Sequence, residues 1–434
     1  MKYYIWTIGC QMNRAESLEM ANLLNRSGYE QVKTARQADL AVLNTCVVRQ
    51  NAENRVSGML GYMKGIKALN PSLRIVVTGC FVEPEMAALK KAFPFVDYFF
   101  PPGVSGQFGD WLAAQSLLCR PDGLSSPIRA GNSVATYIPV IQGCNNYCSY
   151  CIVPYRRGAE QSRPPADILA DAADSVAKGA REIILLGQNV NAYGHDLPQD
   201  IDLCHLLRQL HDIVDLLRLR FLTNHPKDMS GNLIEAMASL PKICRHVCLP
   251  LQAGDDSILK AMNRHYTLDH YRSLIHEMRE KVPGVAISTD LIVGFPGETD
   301  GQFLNSLHAI EELRFDVVHA AMYSPRSGTK AAAEFTDDVP DEVKKQRLRR
   351  VESLQETIAT EINTRLTGTD MEILVEGQKD SKWYGRTYSD KLVFFSGQHD
   401  LLGKLVKVEI VSASPWALRG TLLTRPEGLK QLLI

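Results

Sequence analysis

The chain has 434 residues and a formal net charge of −1, with 45% hydrophobic and 22% charged residues. This length predicts two or three domains, and the composition is that of a water-soluble globular protein with a sizeable core. The near-zero charge excludes a whole-chain field that would attract nucleic acid. The sequence contains no run of 18 apolar residues, so it predicts no membrane span. The N-terminal MKYYIWTIGC lacks the long apolar stretch of a signal peptide. The expected compartment is therefore the cytoplasm, and a monomer is the default.

Three apolar runs near the N-terminus each end in a cysteine and are each followed by a helical pattern. The runs YYIWTIG, LAVLNT and LRIVVTG lead to Cys10, Cys46 and Cys80. This spacing is about one strand–helix–strand unit, and an open parallel sheet brings the carboxyl ends of its strands to one edge. The repeat predicts an open parallel α/β domain over residues 1–118 whose three thiols converge, with three unrelated buried cysteines as the alternative.

The middle of the chain repeats the strand and helix alternation six times. The apolar strand patterns are ATYIPVIQ, REIILLG, LRLRFL, HVCLPL, VAISTDLIVG and FDVVHAAMY, and helical patterns cover residues such as 165–178 and 298–313. This alternation predicts a parallel sheet that is buried on both faces. The catalytic groups of barrel-type sheets lie just beyond the carboxyl ends of the strands, and the next cysteines of this chain occur at such a position.

Cys144, Cys148 and Cys151 form a C-x3-C-x2-C motif directly after the first of these strands. Ten cysteines in a chain expected in the cytoplasm indicate metal ligation or catalysis rather than disulfides. Zinc is one candidate, although structural zinc sites usually show two C-x2-C pairs or nearby histidines, and neither pattern occurs here. Three thiolates on a four-iron cluster would leave one iron open to a ligand that is not protein.

This motif resembles that of the radical S-adenosylmethionine (SAM) superfamily. The resemblance implies a partial (β/α)6 barrel over residues 130–362 and a 4Fe-4S cluster whose open iron is chelated by SAM. An electron passed to the bound sulfonium would cleave a C–S bond and yield a 5′-deoxyadenosyl radical. The implied SAM-contacting residues are Tyr150, Gln188, Asn189, Ser288, Asp290 and Gly294. The glycine-rich turn GFPGET has a second interpretation as an ordinary turn between a strand and a helix.

The order of the two cysteine triads, together with GCQMNRAES, GCNNYCSYCIVPYRRG and YSPRSGTKAA, resembles the methylthiotransferase family of radical SAM enzymes over essentially the whole chain. Gln11 and Met12, which follow Cys10, resemble the motif at this position in the MiaB-type branch of the family. That branch converts N6-dimethylallyladenosine at position 37 of tRNA to the 2-methylthio derivative. The resemblance implies a second 4Fe-4S cluster on Cys10, Cys46 and Cys80, and two molecules of SAM.

The same resemblance implies several partners. They are the tRNA anticodon loop, an electron donor such as ferredoxin or flavodoxin, and a source of sulfur. Arg156 and Arg157 would meet a phosphate or the SAM carboxylate, or form a solvated pair. Three other functions stay open at this point: modification of N6-threonylcarbamoyladenosine in tRNA, modification of a ribosomal-protein aspartate, and a non-enzymatic RNA-binding protein that carries zinc or a cluster.

The C-terminal part begins with a long helix predicted over 341–366, whose basic residues Lys344, Lys345, Arg347, Arg349 and Arg350 indicate a solvated face. From residue 369 short strands alternate with turns that contain glycine, which predicts a five-stranded small β-barrel. This barrel, over residues 365–430, resembles the TRAM domain, an RNA-binding module. Its segment SKWYGRTYSDK mixes cations with aromatics, which predicts phosphate contact and base stacking by Lys382, Trp383, Tyr384, Arg386 and Lys391.

Overall fold

The computed structural model describes residues 1–47, 50–83, 85–103, 105–114, 134–198 and 201–423. The predicted domain boundaries at 118 and 130, and the last residues of the predicted third domain, lie outside these ranges. Within them, no helix combines the length and the apolarity that crossing a lipid bilayer requires.

The first domain is an open parallel sheet with helices on both faces, which confirms the prediction. Its strands are β1 (Lys2–Thr7), β2 (Glu30–Gln31), β3 (Leu40–Thr45), β4 (Arg74–Gly79) and β5 (Tyr98–Phe99), in the order β2-β1-β3-β4-β5. Its helices are α1 (Gln11–Arg26), α2 (Gln50–Leu69), α3 (Ala87–Ala92) and α4 (Ser105–Ala114). Every residue of β3 is buried because alternate side chains enter the two cores on either side of the sheet.

The second domain contains six parallel strands that follow one another in chain order, as expected of a partial (β/α)6 barrel. They are β6 (Ala135–Pro139), β9 (Glu182–Leu186), β10 (Arg218–Phe221), β11 (His246–Cys248), β12 (Ala286–Val293) and β13 (Val317–Met322). A parallel bridge between Leu219 and Ile243 links the two three-stranded halves. A small antiparallel pair, β7 (Ile141–Gln142) and β8 (Gln161–Ser162), flanks the cysteine loop.

The helices of this domain are α5 (Val153–Arg157), α6 (Pro165–Ala177), α7 (Leu203–His211), α8 (Gly231–Ser239), α9 (Asp256–Ala261), α10 (Leu268–Lys281), α11 (Asp300–Leu313), α12 (Lys330–Glu334) and α13 (Asp341–Thr364). The helices after α5 contribute side chains to the core on the outer face of the barrel, whereas α5 contacts the first domain. The predicted basic, solvated face of α13 is wrong for two residues. Lys344 is 2% exposed and pairs with Asp337, and Arg347 is 5% exposed and pairs with Glu298. Both cations fasten α13 to the turns beside it.

Helix α1 of the first domain packs against the opposite, inner face of the barrel. Along β9, Ile183 and Leu185 enter the core beneath the outer helices, whereas Ile184 and Leu186 contact the first turns of α1. The alternation of side chains along a strand produces these two apolar faces. The first domain thereby covers the inner face of β6 and β9.

The third domain is a closed five-stranded barrel, as predicted. Its strands are β14 (Asp370–Lys379), β15 (Lys382–Arg386), β16 (Leu392–Ser396), β17 (Leu405–Ala413) and β18 (Leu418–Leu422). The prediction that Trp383 and Lys391 contact RNA is wrong. Trp383 lies in the core of this barrel, and Lys391 pairs with Asp316 of the second domain at 2.5 Å.

Two arginines at the start of β10 join the third domain to the second. Arg218 is fully buried and donates hydrogen bonds to the backbone oxygens of Arg386 and Glu372, with its guanidinium 4.4 Å from the ring centre of Tyr388. Arg220 pairs with Glu182 and with Asp390 of the third domain. Buried cations that are paired in this way specify one docking geometry.

Arg218→Ala is expected to weaken the docking of the third domain by about 2–4 kcal/mol, since two backbone oxygens lose a charged donor. Amide hydrogen exchange of residues 386–391 in the full-length, metal-free chain measures this change. Arg245→Ala is the matched control, because Arg245 is exposed and donates one hydrogen bond to Pro283. Equal exchange in both variants would show that other contacts hold the third domain.

Candidate active site

The first cysteine triad lies at the carboxyl edge of the first sheet. Cys10 immediately precedes α1 and is exposed, whereas Cys46 and Cys80 follow β3 and β4 and are buried. Gly9 has φ +129°, and a Cβ atom added to it would lie 2.8 Å from the Cβ of Cys46. This close approach needs glycine, and it places the loop that ends in Cys10 directly against Cys46.

A buried amide network holds these loops together. The side chain of Asn13 donates to Asn44 Oδ1 at 2.9 Å and to the backbone oxygen of Thr45 at 2.8 Å. Asn44 donates in return to the backbone oxygen of Asn13 and to Ser17 Oγ. Both asparagines are fully buried. The network therefore fixes the start of α1 relative to the end of β3, on which Cys10 and Cys46 depend.

The second triad lies in a tight loop between β7 and α5. Cys144 N donates to Gly158 O, and Cys151 N donates to Cys148 O. Asn146 Nδ2 lies 3.5 Å from the Cys144 sulfur, and a guanidinium nitrogen of the buried Arg264 lies 3.4 Å from the Cys148 sulfur. Sequence reasoning missed Arg264, because it follows the motif by more than a hundred residues.

Burial dominates the acid–base behaviour of these thiols. It raises the pKa of Cys144 to about 11, and it raises the pKa of Cys151 and of Cys80 above the usual range of a thiol. In the metal-free protein, Cys80, Cys144 and Cys151 are therefore neutral at pH 7. Ligation would release their protons, because the thiolate is the form that binds metal.

The donor set of each triad fits an iron–sulfur cluster. Three soft thiols are the protein ligands that such clusters take, and each set leaves one position open. Among the described residues, no three His, Cys, Asp or Glu side chains are arranged around the position of one metal ion. Thiolates on a four-iron cluster bind three different irons, so they lie further apart than the ligands of one ion.

Polar atoms without hydrogen-bond partners collect at the carboxyl ends of the barrel strands. Within the described residues these buried atoms include Asn189 Oδ1, Asn224 Oδ1, His225 Nε2 and Gln252 Oε1. Burial lowers the pKa of His225 to about 2, so its ring is neutral. Buried polar groups in folded proteins are normally paired, so these atoms are suited to a polar ligand. Sequence reasoning found Asn189 but missed the other three.

The other predicted SAM contacts already have protein partners. Gln188 accepts the N–H of Gly143 at 2.7 Å, and Ser288 lies 3.0 Å from the ring of His246. Gly294 donates its N–H to Glu298 at 2.7 Å, as a turn between a strand and a helix would. Tyr150 is partly buried against the main core, and Asp290 is half-buried on β12. Their contact with SAM stays a prediction.

The two triads adjoin through an apolar contact between the domains. Cys80 packs with Val47 and Phe81 of the first domain and with Ile152 of the second, which directly follows Cys151. Arg156 and Arg157 do not form a solvated pair, because both arginines pair with carboxylates of the first domain. Their contact with a phosphate or with the SAM carboxylate stays a prediction. The predicted convergence of two triads onto one region is thus consistent with the contacts around them.

Three family models match the chain. Residues 2–101 match the model described as "Uncharacterized protein family UPF0004", residues 138–310 match the radical SAM superfamily, and residues 364–423 match the TRAM domain. Each match falls on one of the three domains described above.

Curated relatives are similar over nearly the full length. The chain is 47% identical over 421 residues to a tRNA-2-methylthio-N(6)-dimethylallyladenosine synthase of Dehalococcoides mccartyi (strain CBDB1), covering 97% of this chain and 98% of the relative. It is 43% identical over 436 residues to a relative of the same name from Thermoanaerobacter sp. (strain X514), covering 97% and 92%.

Among solved structures, the fold is similar to that of the radical S-adenosylmethionine methyltransferase TsrM from Kitasatospora setae. The TM-score is 0.59 at 15% identity, and the match covers 77% of each chain. At this identity the likeness concerns the fold alone.

Asn44→Ala is expected to destabilise the first domain by about 2–3 kcal/mol, because it leaves buried donors and acceptors around Asn13 unpaired. Faster amide exchange of residues 40–45 in the metal-free chain would show the loss. Asn70→Ala is the control, since this asparagine caps an exposed turn after α2. If both variants exchanged like the wild type, the amide network would not hold the cysteine loops.

Proposed function

We infer the function from a premise that sequence identity establishes: the chain belongs to the family of tRNA-2-methylthio-N(6)-dimethylallyladenosine synthases. It is a radical SAM methylthiotransferase with a TRAM domain. We propose that it converts N6-dimethylallyladenosine at position 37 of tRNA to its 2-methylthio derivative, and that it uses two molecules of SAM. The observation that carries this proposal is a second cysteine triad adjoining the SAM-type cysteine loop.

Each triad has a proposed role. Cys144, Cys148 and Cys151 would hold the 4Fe-4S cluster that binds SAM, and Cys10, Cys46 and Cys80 would hold a second one. When bound, the clusters supply an electron for SAM cleavage and a site for the sulfur that is transferred. Two clusters in adjoining loops would allow one substrate base to reach both.

The protein contributes charge, orientation and exclusion of water. The guanidinium of Arg264 lies 3.4 Å from the sulfur of Cys148 and places a positive charge beside that ligand. The free polar atoms of Asn189, His225 and Gln252 are placed to orient the polar groups of SAM. The neutral ring of His225 can take part without adding a positive charge. The apolar contact of Ile152 with Cys80 and Val47 would limit the access of water to this side of the first triad.

An exposed pair of aromatic rings lies beside the second cysteine loop. Tyr147 and Tyr155 are 47% and 41% exposed, and their ring centres are 6.0 Å apart. Tyr147 has φ +46°, and Asn263 Nδ2 holds its backbone oxygen at 2.9 Å. Proteins recognise single-stranded loop nucleotides by stacking bases on such rings. We therefore propose that the pair stacks on a base that flanks the target adenosine.

The remaining partners follow from the chemistry of the proposed reaction. Reductive cleavage of SAM needs a one-electron donor such as ferredoxin or flavodoxin, and each turnover needs a sulfur atom from a separate source. No disulfide bond links the cysteines that the structure describes, which supports a reducing compartment and hence the cytoplasm.

Cys148→Ala is expected to abolish SAM cleavage, whereas Cys46→Ala retains part of the cleavage but forms no methylthio product. Anaerobically reconstituted wild type should hold about eight irons per chain, and each variant about four. Liquid chromatography and mass spectrometry of nucleosides and of 5′-deoxyadenosine give both readouts. Full product formation by Cys46→Ala would remove the first triad from the reaction.

Tyr147→Ala combined with Tyr155→Ala is expected to raise the KM for tRNA by about tenfold or more, because losing the stacking on one base costs about 1–3 kcal/mol. Cleavage of SAM without tRNA should stay near the wild-type rate. The doubly substituted Phe variant is the control, since it keeps both rings. An unchanged KM in the Ala variant would place the flanking bases elsewhere.

A further inference from the structure

Each cysteine loop of the first domain is followed by a glutamate that pairs with an arginine of the second domain. The pairs are Glu16 with Arg157, Glu53 with Arg326 and Glu83 with Arg156, at N–O distances of 2.5, 2.8 and 2.6 Å. The glutamates lie within seven positions of Cys10, Cys46 and Cys80, in that order. All three acids come from one domain and all three bases from the other.

Burial differs between the two sides of these pairs. The side chains of Arg157, Arg326 and Arg156 are 2%, 8% and 13% exposed. Glu16 is 11% exposed, whereas Glu53 and Glu83 are 40% and 42% exposed at the rim of the interface. A buried arginine that loses its carboxylate partner keeps an uncompensated charge. The free-energy cost of breaking each pair therefore comes mainly from its buried guanidinium.

Two of the arginines also lie near thiols of the first triad. The guanidinium of Arg157 is close enough to Cys80 and Cys10 to interact with them electrostatically. Arg326 lies within electrostatic range of Cys46. Burial opposes the charge on Arg157, but the carboxylate of Glu16 at 2.5 Å outweighs it, so the pKa of Arg157 lies above the usual arginine value. The positive charge next to the first triad therefore comes from the second domain.

We propose that Arg157, Arg326 and Arg156 are positioning residues that seat the first cysteine triad on the second domain, one ion pair for each cysteine loop. The buried pair of Arg157 and Glu16 sets the distance between the two triads. The two rim pairs set the rotation of the first domain about it. This role rests on the proposed function, because the relative position of the triads matters only if one substrate must reach both.

The test compares the full-length chain with its Glu16→Gln variant. In the metal-free protein, the variant should exchange amides of residues 11–26 and 153–157 at least tenfold faster. After anaerobic reconstitution, the ratio of methylthio product to 5′-deoxyadenosine should fall about tenfold or more, because misplacement of reacting groups is costly. Glu30→Gln is the control on an exposed edge strand and should match the wild type in both readouts.

A charge exchange at the rim keeps the test independent of folding defects. Glu83→Arg alone and Arg156→Glu alone should each lower the product ratio, and the double variant should recover most of it. No recovery in the double variant, or wild-type exchange and product ratio in Glu16→Gln, would overturn the proposal. A wild type that forms no methylthio product would instead contradict the proposed function, while the exchange data would still test the docking role.

Discussion

The arrangement of the molecule depends on the burial of the first turns of α1 against the inner face of the partial barrel. A barrel of six strands does not close on itself, so its inner apolar side chains, such as Ile184 and Leu186, need a cover. Met12 and Ala15 provide it, and α1 begins directly after Cys10. The same burial that completes the core therefore places the first cysteine triad, which includes Cys10 at the start of α1, beside the second domain.

Charge then specifies how the outer domains sit on the central one. The central domain supplies arginines to both interfaces, and its neighbours supply the acceptors. Arg157 meets a carboxylate of the first domain, whereas Arg218 meets backbone oxygens of the third. Buried pairs of this kind add little net stability, because desolvation of the charges offsets their attraction. Their value lies in geometry, since a shifted domain would leave a guanidinium buried without a partner.

The failed expectations share one cause. Basic residues on α13 and in the segment SKWYGRTYSDK were expected to face solvent or RNA. Lys344 instead pairs with Asp337 in the preceding turn, and Arg347 and Lys391 pair with carboxylates 49 and 75 residues away in the sequence. The charges along one helix or strand do not indicate which residues of other elements pack against it. Arg264 and His225 were missed for the same reason, because nothing local marks them as neighbours of the second triad.

The sequence by itself determined the three folding units and the six cysteines of the candidate site. Apolar periodicity marks strands and helices, and parallel strands of similar spacing must present their carboxyl ends at one edge. Only the tertiary structure decided which face of the barrel α1 covers, which carboxylate each arginine meets, and which polar atoms stay free for a ligand. Those outcomes depend on side chains that are distant in sequence, and the packing of three domains decides which of them become neighbours.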